Sequence, residues 1–237
     1  MTKIEWANET WNPITGCTPI SEGCENCYAK RMANRLRGRF GYPKDEPFKP
    51  GTTHNNITHK PFSLTKPKKI FVCSMGDMFH EHVDWNHLFN VWQSMGMIKR
   101  HTYLILTKRP ENAKRHLLGD LAFHLQRQSW CNVWPLDNVW FGVTAENQKR
   151  YDERWSILGN DIPSKLKFVS IEPALEYVNI DIFAPWPDWV IWGPETGPGK
   201  RPYKDEWAES VYEQCREKNI PFFDKRKTGW LAREFPK

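Results

Sequence analysis

The chain has 237 residues, with 34 Lys and Arg against 28 Asp and Glu and a formal net charge of +6. That length suits one large α/β domain or two small ones. No apolar run approaches the roughly 18 residues of a membrane span. The opening residues, Met1 to Glu9, lack the apolar stretch of a secretory signal, so a cytoplasmic protein with no membrane partner is expected. In the cytoplasm disulfides are disfavoured, and clustered cysteines read as metal ligands or redox groups. The charge excess is compatible with nucleic acid without requiring it.

In chain order, Trp11 to Thr15 reads as a first strand. It runs into Gly16-Cys17-Thr-Pro-Ile-Ser-Glu-Gly-Cys24-Glu-Asn-Cys27-Tyr28, which places three cysteines on one short loop. Gly16, Pro19, Ser21, Gly23 and Asn26 make this a poor core segment, so the thiols read as metal ligands. A closed structural site wants four protein ligands, whereas three leave a position for a substrate or cofactor. A helix is expected from Cys27 to Leu36, overlapping the basic run Lys30 to Arg39. Residues 38–68, rich in Gly, Pro, Lys, Thr and Asn, read as a long irregular insertion.

From residue 69 the pattern becomes regular. Lys69–Ser74, Thr102–Thr107, Val139–Thr144, Lys167–Ile171, Trp189–Trp192 and Pro221–Phe223 are short, continuously apolar runs. Such runs suit strands buried on both faces. Between them, Trp85–Lys99 spaces Leu88, Val91, Trp92, Met95 and Ile98 as one helical face. Asn112–Gln128 and Lys204–Lys218 behave likewise, the second with Trp207, Val211 and Cys215. Strands alternating with helices imply βαβ units and a mostly parallel sheet in an α/β fold.

The strand ends are polar in succession. They lead into Ser74-Met-Gly76-Asp77, Thr107-Lys108-Arg109, Thr144-Ala-Glu146, Glu172-Pro173, Gly193-Pro-Glu195 and Asp224-Lys225. One polar strand end is ordinary, but five or six point to a binding face at the C-terminal rim. Cys73, Cys131 and Cys215 occur singly and read as small buried hydrophobes. The basic runs Lys66–Lys69 and Lys225–Lys227 have a solvated face as their ordinary reading. The 13 tryptophans are mostly core, with stacking on bases as the functional reading.

The cysteine loop admits several chemistries. Structural zinc would take a fourth ligand from His54, His59, His80 or His82, none of which shows the paired spacing of a zinc knuckle. Deaminase-type zinc wants a His-x-Glu and a Pro-Cys-x-x-Cys, which Glu81 and His82 do not make. A 4Fe–4S cluster held by three thiolates leaves its fourth iron free.

Trp11-Asn-Pro-Ile-Thr-Gly-Cys17, Gly23-Cys24-Glu-Asn-Cys27-Tyr-Ala-Lys-Arg-Met32, Ser74-Met-Gly-Asp-Met-Phe79, Leu106-Thr-Lys-Arg-Pro110, Val139-Trp-Phe-Gly-Val143, Phe168-Val-Ser-Ile-Glu-Pro173 and Gly193-Pro-Glu-Thr-Gly197 span nearly the whole chain. Together they resemble a phage and prophage family of three-cysteine-motif proteins. Three cysteines at a strand end with about six βα units also resemble the radical S-adenosylmethionine (radical SAM) superfamily. Six residues separate Cys17 from Cys24, more than is usual there, and Asn26 precedes Cys27.

The resemblance implies a single domain over residues 1–237, a partial (β/α)6-type TIM barrel with the cysteine loop at its C-terminal rim. It implies that Cys17, Cys24 and Cys27 bind a 4Fe–4S cluster, with S-adenosylmethionine on the free iron. An electron donor such as flavodoxin or ferredoxin would then trigger release of a 5′-deoxyadenosyl radical. It assigns Ser74, Gly76 and Asp77 to the methionine amino group and Lys108 or Arg109 to its carboxylate. Thr144 and Glu146 fall to the ribose, Gly193 and Glu195 to the adenine. Lys108 or Arg109 could equally neutralise a neighbouring carboxylate. Tyr28 and Glu172 are the candidate catalytic residues, and Glu172-Pro173 reads alternatively as a strand terminator. The phage likeness, the basic runs and the aromatics lean towards a DNA substrate, with modification or rearrangement of a thymine derivative. Another radical SAM substrate (a damaged base or a small molecule) and a non-catalytic, zinc-bearing DNA-binding protein stay open.

Overall fold

The computed structural model describes residues 4–182 and 184–237. In chain order the elements are β1 (Glu9–Trp11), β2 (Ile14–Thr15), α1 (Tyr28–Arg35), β3 (Thr52–Thr53), α2 (Lys60–Ser63), β4 (Lys69–Val72), α3 (Trp85–Met97) and β5 (Thr102–Thr107). There follow α4 (Pro110–Leu118), α5 (Asp120–Gln126), β6 (Val139–Thr144), α6 (Gln148–Asn160), β7 (Leu166–Ile171), β8 (Trp189–Trp192), α7 (Asp205–Glu217) and β9 (Phe222–Asp224). Seven strands pair in the order β1-β4-β5-β6-β7-β8-β9, all parallel. The sheet curls into a half-barrel, a partial TIM-barrel-like α/β fold. No helix among the described residues is long and apolar enough to cross a membrane.

The continuous apolarity of the strands follows from burial on both sides. Outward residues Val72, Ile105, Phe141, Val169, Val190 and Phe222 join the helices in one core. Inward residues Phe71, Leu104, Phe168, Trp189, Ile191 and Phe223 pack with Trp6 and Ala7 in a second. Trp6 lies 4.6 Å from the Phe71 ring and edge-on to Trp189 at 6.3 Å, so the segment before β1 plugs the lower lumen. Gly142 faces this interior, where a Cβ would stand 2.5 Å from the Phe168 ring. That close approach explains a glycine inside a strand. Further up, the two-residue alternation brings Lys108, Thr144, Ser170, Glu172, Gly193 and Lys225 inward, and the lumen turns polar.

A late segment spans the open side of the half-barrel. Arg233 bridges antiparallel to Phe223 and lies 3.6 Å from Glu5. Phe235 packs on Trp189 at 5.6 Å and beneath the Lys69 ammonium at 3.9 Å.

Several expectations change in detail. The expected strand 11–15 is two strands divided at Asn12-Pro13: β1 joins the barrel, while β2 pairs antiparallel with β3. Residues 38–68 are therefore irregular in the main but contribute β3 and α2. The single helix expected over 112–128 is α4 and α5, broken at Gly119, where a Cβ would meet the Arg115 carbonyl at 2.5 Å. Helix α6 has no clear helical signal in the sequence because Tyr151, Trp155 and Leu158 are the large apolar residues of its buried face, amid charged neighbours. Its Asn147 cap accepts from the Arg150 N–H at 2.9 Å.

Candidate metal centre

Two glycines seat the cysteine loop on the end of β4. Gly16, at φ +83°, bridges parallel to Gly76 and donates its N–H to the Met75 carbonyl at 3.0 Å. A Cβ on Gly16 would lie 1.8 Å from the Lys49 carbonyl oxygen, and one on Gly76 would lie 2.7 Å from the Gly16 carbonyl. Only bare backbone lets three chain segments meet this closely. Beyond Gly16 come Cys17, a 3-10 turn over Glu22–Cys24, and Cys27 at the N-terminus of α1. All three thiols are partly exposed.

The ends of β5, β6 and β8 then grip this loop. From β5, Arg109 donates from Nη1 to Cys17 Sγ at 3.1 Å and from Nη2 to the Thr18 carbonyl and hydroxyl at 3.1 and 2.9 Å. Asp77 stands behind it at 3.7 Å. The Asp77 carboxylate also accepts from the Thr107 hydroxyl at 2.8 Å and from the backbone N–H groups of Lys108 and Phe79, each at 3.0 Å. Burial pushes the Cys17 thiol up to about 12, Asp77 adds to that push, and Arg109 opposes it.

From β6, Glu146 is wholly buried and accepts from the Gly23 N–H at 3.3 Å. Arg154 and Lys108 flank it at 2.8 and 3.4 Å. Burial alone would raise its pKa, but Lys108 and Arg154 outweigh that and hold the carboxyl at about 2. From β8, Glu195 accepts from Asn26 Nδ2 at 3.0 Å and from Arg201 N and Nε at 2.8 and 3.0 Å. Arg201 reaches on to the Glu22 carbonyl and the Glu25 carboxylate, both at 3.0 Å. Arg31 of α1 and Arg150 of α6 complete the clamp on Asn26 and Glu22.

Asp77, Lys108, Arg109, Glu146 and Glu195 are thus engaged with the loop or its supports. Lys108 and Arg109 each stand against carboxylates, the structural role that their sequence left open. The histidines are engaged too. His54 and His80 place Nε2 on the hydroxyls of Thr15 and Thr18 at 2.8 and 2.9 Å, and His59 lies edge-on to Phe62.

Among the described residues, no three His, Cys, Asp or Glu side chains are placed to share one metal ion. An iron–sulfur cluster makes a different demand, because its thiolates need not meet on one ion. Three sulfurs on one glycine-anchored loop, the first facing a guanidinium, fit that donor set. Over residues 1–237 the chain matches the family described as "Protein of unknown function (DUF5131)". It belongs to that family. No curated protein and no solved structure matches it.

In this DUF5131 protein a second group of residues faces the mouth without gripping the loop. Ser74 donates its hydroxyl to Asn12 Oδ1 at 3.1 Å, and its carbonyl accepts from the Tyr28 hydroxyl. Tyr28 is half exposed as a whole, yet its oxygen sits among protein atoms. That crowding, with the Glu172 carboxylate nearby, pushes its phenol above the ordinary range. Glu172 pairs with Lys225. A Cβ on Gly193 would lie 3.1 Å from Lys225 Cβ and 3.7 Å from the Glu172 carboxylate carbon, so Gly193 leaves room beside the pair. Thr144 is buried, its carbonyl taken by Arg154 at 2.7 Å. Ser170, two residues below Glu172 on β7, buries a hydroxyl oxygen with no protein partner. Arg154 and Arg201 carry no motif in the sequence, and Asn12 and Ser170 fall within motif runs without a role of their own. They are legible only once the strand ends are assembled.

Proposed function

We propose that this protein is a radical SAM enzyme in which Cys17, Cys24 and Cys27 hold a 4Fe–4S cluster and S-adenosylmethionine binds at the barrel mouth. Its substrate on this reading is a nucleobase, a thymine derivative in DNA, which it modifies or rearranges. Flavodoxin or ferredoxin would supply the electron. One observation carries the reading: the three-cysteine loop lies on the C-terminal rim of a parallel half-barrel and is tied to the ends of β4, β5, β6 and β8.

Bound there, cluster and S-adenosylmethionine supply abstraction of a hydrogen atom from an unactivated carbon. The protein's own part is positioning and exclusion of water. Arg109 keeps a positive charge on the Cys17 side of the loop. Glu146 and Glu195 fix the loop from two further directions. Trp6, Phe71, Phe168 and Trp189 fill the lower lumen, so a reactive centre at the mouth is screened from below. Tyr28, Ser74, Glu172 and Lys225 are the groups left to contact cofactor or substrate, with the sealed Ser170 hydroxyl below them. The radical SAM reading goes with two features: donors limited to sulfur, and a mouth whose remaining polar groups are varied enough for an amine, a carboxylate and hydroxyls.

Anaerobic purification tests it. The expected protein is brown, binds iron and sulfide, and loses both in a Cys24→Ala variant. With dithionite and S-adenosylmethionine it releases 5′-deoxyadenosine. A colourless protein carrying stoichiometric zinc overturns the proposal.

A further inference from the structure

Residues 30–49 contain seven Lys and Arg against Asp45 and Glu46, a surplus of five in a chain of net charge +6. Among the described residues, none of those seven forms an ion pair with a carboxylate, whereas Arg109, Arg150, Arg154 and Arg201 all do. Arg37 donates to the carbonyls of Lys44 and Asp45 and so shapes the turn without losing its charge. Residues 30–49 therefore form a locally basic patch whose cations have no carboxylate partner.

At the apex of that patch stands Phe40, 79% exposed and the most exposed large apolar side chain among the described residues. Its backbone holds φ +52°, a region that bulky residues avoid. The conformation is built in. Buried His54 lies beneath the turn, its Nε2 held 2.8 Å from the Thr15 hydroxyl. A Cβ on neighbouring Gly41 would stand 2.7 Å from His54 Nδ1. Buried Tyr42 packs on the same imidazole at 5.4 Å. The turn is strained and braced from beneath, and it leaves one ring in solvent.

The patch adjoins the cysteine loop at both ends. Helix α1 begins directly after Cys27, and the Lys49 carbonyl lies against Gly16. We propose that α1 and the Phe40 turn bind single-stranded nucleic acid, the cations taking phosphates and Phe40 stacking on an unpaired base, so that the strand is led to the cysteine loop. Phosphates require unneutralised cations, and a base requires a free ring. An acidic polypeptide would use the cations but has no need of the ring, and a duplex keeps its bases stacked on one another. The destination of the strand rests on the enzyme reading above, but the binding itself does not.

The full-length protein is titrated into a labelled single-stranded DNA oligonucleotide, its duplex and polyglutamate, on preparations whose iron is also counted. The single strand is expected to bind tightest. Phe40→Ala should weaken it about tenfold, consistent with loss of one stacked base, while Phe40→Trp retains it. Lys30→Ala with Arg35→Ala should reduce the salt slope by about 1.4, the share of two phosphate contacts on a single strand. Phe40 is exposed, so its variants keep the fold, and circular dichroism checks this. Equal binding by Phe40→Ala, equal binding of duplex or polyglutamate, or no binding of the single strand overturns the inference. An iron-bearing protein failing in these ways leaves the enzyme reading standing. Phe40-dependent binding by a protein without iron would leave this inference standing alone.

Discussion

Arg109 points its guanidinium at the sulfur of Cys17 from 3.1 Å, and Asp77 stands behind that guanidinium at 3.7 Å. The three groups run from the end of β4, through the end of β5, to the first residue of the cysteine loop proper. Arg109 is nearly buried, so its charge is little screened.

A hydrogen bond from a cation to a cluster sulfur favours the reduced state, which carries the extra electron. On the proposed cluster reading, Arg109→Gln should therefore lower the midpoint potential of the reconstituted protein. A charged hydrogen bond worth about 1.5 kcal/mol corresponds to about 60 mV for a one-electron couple. Arg109→Lys should recover part of the shift. Redox titration followed by electron paramagnetic resonance reads it. An unchanged potential at full iron content would show that Arg109 acts on the loop alone.

Glu146 links the protein's acid sensitivity to the same loop. Its carboxyl lies at about 2 in the folded protein against an ordinary 4.5. A depressed carboxylate stabilises the fold fully above the unfolded value, and that stability is lost as pH falls through the folded one. The window is thus pH 4.5 down to about 2. Glu146→Gln leaves Arg154 and Lys108 facing each other without a counter-charge. It should cost about 3 kcal/mol at neutral pH. Urea unfolding at a series of pH values should show the gap between wild type and variant closing as pH falls across that window. A gap independent of pH would mean that the carboxylate charge is not what holds the loop.

Gly142→Ala probes the interior of the barrel. The new methyl would press on Phe168 from 2.5 Å. Overpacking of this kind costs about 1–3 kcal/mol. A second change, Phe168→Leu, should restore part of the loss by making room. Thermal unfolding of the single and double variants measures the coupling, and strictly additive losses would contradict the contact.

Much of the architecture was legible before any coordinates, because strands covered on both faces must be apolar throughout. Phe71-Val72, Phe168-Val169 and Trp189-Val190 serve the inner and outer cores by turns. Helix α6 was not legible, since only three large apolar residues, Tyr151, Trp155 and Leu158, mark its buried face. The cysteine loop announced itself through the thiols. Its clamp did not, because an arginine such as Arg201 reads the same whether it faces solvent or spans three segments. For the strand-end acids, a sequence shows that a carboxylate arrives at a strand end and not what it meets. Glu146 and Glu195 meet the loop.

The segment around Arg233 and Phe235, drawn across the open side of the half-barrel against Glu5, Lys69 and Trp189, has a consequence for traffic. With Trp6 below and this strap beside it, the interior has a floor and a closed flank. Whatever enters from the rim must leave by the rim, past the same cysteine loop. If the proposed enzyme reading holds, turnover would proceed by exchange at that rim, and a slow-leaving product would block the next substrate.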